Sequence, residues 1–150
     1  MSSFKGSYRY SVDNKGRINI PAKLRKYLSP ESNDIFVVTR GYDPCLFLYP
    51  LDEWARVEQS IRELSSTNPH HRFLTRVLCQ HATEAALDAQ SRIAIPHELL
   101  ELAGLGTEVF ILGVLNRIEL WNPARYDEYL KAQADSYEAI AEMIFEQKRI

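Results

Sequence analysis

Val12-Asp13-Asn14-Lys15-Gly16-Arg17-Ile18-Asn19-Ile20-Pro21 returns 75 residues later as Leu87-Asp88-Ala89-Gln90-Ser91-Arg92-Ile93-Ala94-Ile95-Pro96. Both stretches read apolar-Asp-x-x-x-Arg-Ile-x-Ile-Pro, and Leu24 and Leu99 extend the match at the same offset. Further along, Ile35 to Val38 matches Val109 to Leu112, Leu46 to Pro50 matches Ile118 to Asn122, and Trp54 answers to Tyr126. The same order of elements over about 50 residues points to a duplicated unit, which sets the fold problem before any single element is considered.

Each copy reads as mostly strand. Tyr8 to Val12 alternates and is rich in β-formers. Asp13 to Gly16 has turn chemistry, because Asp and Asn side chains bond the local backbone and Gly16 allows a positive φ. Ile18 and Ile20 alternate with Arg17 and Asn19, as on a strand with one buried face that Pro21 closes. A short helix with Leu24, Tyr27 and Leu28 follows, then strands at 35–39 and 46–49 around the turn Arg40-Gly41-Tyr42-Asp43-Pro44. The second copy predicts strands at 84–87 and 92–95, a helix at 96–103 that Gly104 stops, and strands at 108–113 and 117–121. Between the copies, Asp52 is a candidate cap for a helix carrying Trp54, Val57, Ile61 and Leu64 on one face. Asn68-Pro69 starts a second helix with Phe73, Leu74, Val77 and Leu78, and Asn122-Pro123 starts another after the second copy. A last helix over 135–149 carries Tyr137, Ile140, Ala141 and Ile144 on a stripe and frays at its end.

These elements predict an α+β, mainly β chain. Its segments are a first repeat at 4–51, a helical connector at 52–80, a second repeat at 81–124 and a C-terminal helical segment at 125–150. Four short strands and a small helix make a unit of about 50 residues, near the limit of independent folding, so the repeats are expected to pack as halves of one pseudo-symmetric domain.

The chain has 150 residues, 45% hydrophobic and 25% charged, which is globular composition. No apolar run approaches a membrane span, and the first five residues lack the layout of a secretory signal, so a cytoplasmic protein is expected. Two cysteines, Cys45 and Cys79, form no disulfide framework. The net charge of −2 conceals a segregation. Residues 1–26 hold Lys5, Arg9, Lys15, Arg17, Lys23, Arg25 and Lys26 against the single acid Asp13, a charge of +6, and the rest of the chain carries −8. Near-neutrality argues against coating nucleic acid by bulk charge, but a basic first hairpin concentrates charge on one face.

Several motifs in order resemble the bacterial MraZ family. They are Phe4-x-Gly6-x-Tyr8, Asp13-x-Lys15-Gly16-Arg17-Ile18-x-Ile20-Pro21-Ala22-x-Leu24-Arg25 and Cys45-Leu46-x-Leu48-Tyr49-Pro50-Leu51-x-Glu53-Trp54. Leu64-Ser65-Ser66-x-Asn68-Pro69, His81-Ala82 and Glu119-Leu120-Trp121 complete the pattern, which spans roughly 4–130. The doubled Asp-x-x-x-Arg element is similar to the signature of AbrB-like DNA-binding proteins. The resemblance implies two AbrB-like swapped-hairpin, double-psi-like β-barrel repeats. It also implies a non-enzymatic regulator of the division and cell-wall gene cluster, without cofactor or small-molecule substrate. Its implied partners are double-stranded DNA, at tandem promoter repeats upstream of its own operon, and further copies of itself in a ring, an octamer or a ring of similar size. Its implied location is the nucleoid.

The functional pair of that family falls on Asp13 and Arg17, with Asn14 and Lys15 between them, and secondarily on Asp88 and Arg92. A carboxylate across a tight turn can orient a guanidinium and leave its other donors free for phosphate or for the O6/N7 edge of guanine. Lys5, Arg9, Lys15 and Lys23 suit phosphate contacts, which position without reading sequence. The competing reading of either pair is a salt bridge that staples its hairpin. Repeat two departs from repeat one: Gln90 and Ser91 replace Lys15 and Gly16, and Glu84, Asp88, Glu98 and Glu101 surround Arg92, so its pair is expected to be mainly structural. His70, His71, Cys79 and His81 fall within twelve residues, but Cys79-x-His81 is not a zinc spacing and no metal site is expected. Cys45 reads as a packing residue rather than a nucleophile. Two further alternatives are a ring-forming scaffold without DNA affinity and an antitoxin-like AbrB-family protein.

Overall fold

The computed structural model describes residues 2–147, so the last residues of the 135–149 helix and of the 125–150 segment lie outside the described part. Eight strands and six α-helices follow in chain order among the described residues. They are β1 (Phe4–Ser11), β2 (Arg17–Asn19), α1 (Ala22–Arg25), β3 (Ile35–Arg40), β4 (Leu46–Pro50), α2 (Leu51–Arg62), α3 (Pro69–His81), β5 (Thr83–Ala86), β6 (Arg92–Ala94), α4 (His97–Ala103), β7 (Glu108–Leu115), β8 (Arg117–Trp121), α5 (Pro123–Lys131) and α6 (Tyr137–Gln147).

The two repeats interleave. A six-stranded antiparallel sheet runs β1-β7-β8-β4-β3-β5, and β2 pairs with β6 in a separate ribbon. The first strand of each repeat has left its own unit: β1 pairs with β7, and β5 pairs with β3. This is the exchange that a swapped-hairpin architecture requires. The strand order is palindromic about β8–β4, where Leu46 faces Leu120, Leu48 faces Ile118 and Phe47 faces Glu119. In the ribbon Ile18 faces Ile93, which are equivalent residues of the two copies. A pseudo-twofold axis therefore passes through both pairings.

The main core lies on the sheet face toward the ribbon. Ile18, Ile93, Leu46, Leu48, Ile118 and Leu120 are all fully buried there, and each such side chain contributes roughly 1.5–3 kcal/mol. A second cluster on the other face joins Val37, Cys45, Phe47, Tyr49 and Trp121 to Trp54 of α2 and Leu78 of α3. The symmetry breaks on this face. Buried Glu119 accepts hydrogen bonds from Arg117 Nε at 3.0 Å and Trp121 Nε1 at 2.9 Å and forms an ion pair with Arg117 Nη2 at 2.8 Å, while the Arg117 guanidinium lies 4.4 Å from the centre of the Phe47 ring.

Four local expectations are corrected. Asp52 does not cap α2: Pro50 occupies the cap position, and Asp52 in the first turn accepts from Ser29 Oγ at 2.9 Å. The connector helices begin at Leu51 and end at His81, one residue beyond the predicted limits on each side. α1 ends at Arg25, so Tyr27 and Leu28 reach the core from the chain after it. On α3 only Leu78 is buried, and Phe73 remains 68% exposed because no described element covers that side. The predicted caps at Asn68 and Asn122 form as expected, each side chain accepting from two N–H groups of the following turn.

Candidate nucleic-acid interface

The turn between β1 and β2 is built by one carboxylate. Asp13 Oδ1 accepts from the backbone N–H groups of Lys15 at 2.9 Å and Arg17 at 2.8 Å. Its Oδ2 accepts from Arg17 Nε at 2.7 Å. Gly16, at φ +76°, completes the reversal by donating its N–H to the Asp13 carbonyl at 3.0 Å. The backbone N–H of Arg17 is the main influence that holds the Asp13 carboxyl below its usual pKa, so Asp13 is an anion at neutral pH. Arg17 is thus gripped through Nε and through its own backbone, and its two Nη groups have no acceptor among the described residues. That geometry leaves a fork of N–H donors at a fixed angle.

The second turn repeats these bonds. Asp88 Oδ1 accepts from Gln90 N at 2.8 Å and Arg92 N at 2.9 Å, and Oδ2 accepts from Arg92 Nε at 2.9 Å. Its carboxyl is likewise lowered, chiefly by the Arg92 N–H. Ser91 takes φ +62° where repeat one has Gly16. A serine in this conformation carries a steric cost of about 1–2 kcal/mol that glycine escapes.

The fold brings the two turns together. Ile20 N donates to Ser91 O at 2.9 Å, and its symmetry mate Ile95 N donates to Gly16 O, also at 2.9 Å. Asn19 Nδ2 donates to Gln90 O at 3.0 Å, and Arg92 Nη1 lies 4.0 Å from Asp13 Oδ2. Asn19 and the link between Arg92 and Asp13 escape sequence reading, although equal spacing in the two copies is the signal that makes their adjacency derivable.

The other predicted residues divide. Asn14 and Lys15 sit exposed on the first turn. Lys23 is exposed on α1. Lys5 folds back on its own strand, with Nζ donating to Ser3 O at 3.0 Å and lying 4.6 Å from the centre of the Tyr27 ring. Arg9 pairs in register with Phe110 and lines a hollow with Tyr126 and Asp127 of α5. Among the described residues no three His, Cys, Asp or Glu side chains converge as a metal site would need. His71 accepts from Ser65 N, and His81 lies 3.8 Å from Glu98. Burial pushes the Cys45 thiol up to about 12. No described helix is long and apolar enough to cross a membrane.

Comparison with known proteins agrees with this architecture. The family model described as "MraZ protein, putative antitoxin-like" matches residues 3–77 and again residues 78–148. A protein of Halothermothrix orenii named transcriptional regulator MraZ is 46% identical over 138 residues, covering 92% of this chain and 94% of that one. Proteins of the same name from Moorella thermoacetica and Natranaerobius thermophilus are each 43% identical. The first alignment covers 93% of this chain and 94% of the relative, the second 94% and 96%. With both halves matched in order and the paired Asp-x-x-x-Arg turns in place, this chain belongs to the MraZ family.

Proposed function

We propose that this chain is a transcriptional regulator that binds double-stranded DNA in a sequence-specific manner through the β1–β2 turn. The observation that carries the reading is the Arg17 fork, fixed by Asp13 at 2.7 Å and left with free donors among basic side chains. Two parallel N–H groups match the O6/N7 edge of guanine, and a two-stranded ribbon fits the major groove. Lys15 and Lys23 supply phosphate contacts, with Lys5 and Arg9 on the flanks. Asn14 lies at the tip of the turn. Asp88 and Arg92 brace the first turn from the pseudo-symmetric position, Arg92 acting through Asp13 at 4.0 Å.

One turn makes few phosphate contacts, so useful affinity comes from several protomers linked together. A ring of protomers on tandem repeats raises affinity through effective concentration. Relatives carry the name transcriptional regulator. Together with the family resemblance, that supports regulation of the division and cell-wall gene cluster from repeats upstream of its own operon. Such a protein acts in the cytoplasm, at the nucleoid.

The test is a footprint on the upstream DNA together with a mass measurement of the free oligomer. Wild-type protein protects direct repeats; Arg17→Ala loses protection at unchanged mass, and Arg92→Ala loses less. Wild-type affinity in Arg17→Ala would overturn the site. A second, antitoxin-like reading draws on the exposed apolar side chains of α6, and salt-independent failure to bind operator DNA would favour it.

A further inference from the structure

Two helices leave apolar surface open. α6 has no buried residue, and Tyr137, Ile140, Ala141 and Ile144 recur at the i, i+3, i+4, i+7 spacing of a helix that docks in a groove. Tyr137 is 82% exposed. Elsewhere on the surface, α3 and the β3–β4 turn form a hollow of about 240 Å³ between Tyr42, Phe73, Leu74, Val77 and Leu78. Apolar surface grouped in this way marks an interaction site.

Charge selects the partner. α6 carries Glu138, Glu142 and Glu146 and no base among its described residues. The three acids lie at i, i+4 and i+8, a single row along one flank of the apolar stripe. α3 carries Arg72 and Arg76 and no acid, and these lie at i and i+4 beside Phe73 and Val77. Arg76 is exposed, while Arg72 donates one hydrogen bond to Ser66 O at 3.2 Å and keeps its charge at the surface. Arg40 adds a third base at the rim of the hollow. An acidic row and a basic row share one spacing, and each borders an apolar stripe.

We propose that α6 of one protomer docks across α3 of a second copy of the chain, with its Tyr137–Ile144 stripe in the hollow and Glu138 and Glu142 against Arg72 and Arg76. The proposal rests on the ring reading given above and names the contact that would close such a ring. A helix of one copy in a groove of the next is a head-to-tail interface, and head-to-tail interfaces build rings when their rotation closes.

Charge reversal tests it. One variant carries Arg72→Glu and Arg76→Glu, and a second carries Glu138→Arg and Glu142→Arg. All four side chains lie on helix surfaces, so both variants keep the wild-type far-ultraviolet circular dichroism spectrum, while loss of the interface is free to lower the unfolding temperature. Light scattering should show each variant alone reduced to the protomer mass. Both pairs of changes in one chain should restore the wild-type mass. An equimolar mixture of the two variants should also restore it, because each helix then meets a complementary groove on the other chain. A mixture that stays at the protomer mass means that α6 docks on its own chain and overturns the proposal. Single variants that keep the full mass mean that another surface builds the ring; the proposal falls and the ring reading stands. Wild-type protein at the protomer mass removes both.

Discussion

Replacing Arg17 with lysine separates base reading from charge. Asp13 occupies Nε of Arg17 at 2.7 Å and leaves the two Nη groups as a planar fork. Lysine keeps the positive charge but offers a single ammonium that cannot span the two acceptors of guanine. A bidentate contact to guanine contributes about 1–3 kcal/mol of discrimination, or roughly 5–150-fold per repeat. Arg17→Lys should therefore lose about that factor in the ratio of operator to scrambled affinity. Its slope of log affinity against log salt should stay as in the wild type, because the number of phosphate neutralisations is unchanged. Lys15→Ala should behave in the opposite way, weakening both DNAs alike and reducing the slope by about 0.9. The assay is fluorescence anisotropy with a duplex holding one repeat, so that avidity does not multiply the effect, repeated over a salt series. Equal losses on operator and scrambled DNA would refute the base-reading role and make Arg17 one more phosphate contact.

Four other outcomes follow from the geometry. Asp13 and Asp88 are lowered below the usual 3.8 by backbone N–H donors, so their contribution to turn order is complete above that value and is lost as pH falls through the lower folded values. Carboxyl NMR titrations should give both midpoints below 3.8, and a midpoint at or above it would contradict the bonding described. Gly16→Ala places a Cβ 3.0 Å from Leu100 Cδ1 and 3.1 Å from Ile95 O at φ +76°, which should cost at least about 1–2 kcal/mol in denaturant melts. Ser91→Gly, which removes the same strain in repeat two at an entropic cost of about 0.5–1 kcal/mol, should be neutral or slightly stabilising; a large loss would show that the serine side chain is needed there. Thiol labelling of native protein should modify exposed Cys79 and spare Cys45, which is buried and pushed up to about 12, until the chain unfolds.

Much of the candidate site is written locally. Asp13 and Arg17 are four residues apart, and every bond that forms the turn lies within that span. The same chemistry at Asp88 and Arg92 made the duplication readable and predicted the second turn, but that Ser91 takes the positive φ of Gly16 came only from the structure. What stayed hidden was the relation between the copies. Asn19 reaching Gln90, and Arg92 approaching Asp13, involve residues more than 70 positions apart. Asp52 shows the reverse failure: its local pattern suits a cap, but Ser29 offers a partner from elsewhere in the fold.

The amino-acid order by itself determined the repeat, the turn chemistry, the helix starts at Asn68 and Asn122 and the gathering of positive charge in the first 26 residues. Each depends on groups that meet within one turn of chain, or on composition alone. Only the tertiary structure decided that β1 pairs with β7 and β5 with β3, and that the two Asp–Arg turns stand side by side. It alone left the Phe73 side of α3 open. Period-two alternation tells which face of a strand is buried, but the hydrogen-bonding ladder is chemically the same for every neighbour. Partner choice therefore belongs to the packing of the whole core, where Ile18 meets Ile93 and Leu48 meets Ile118.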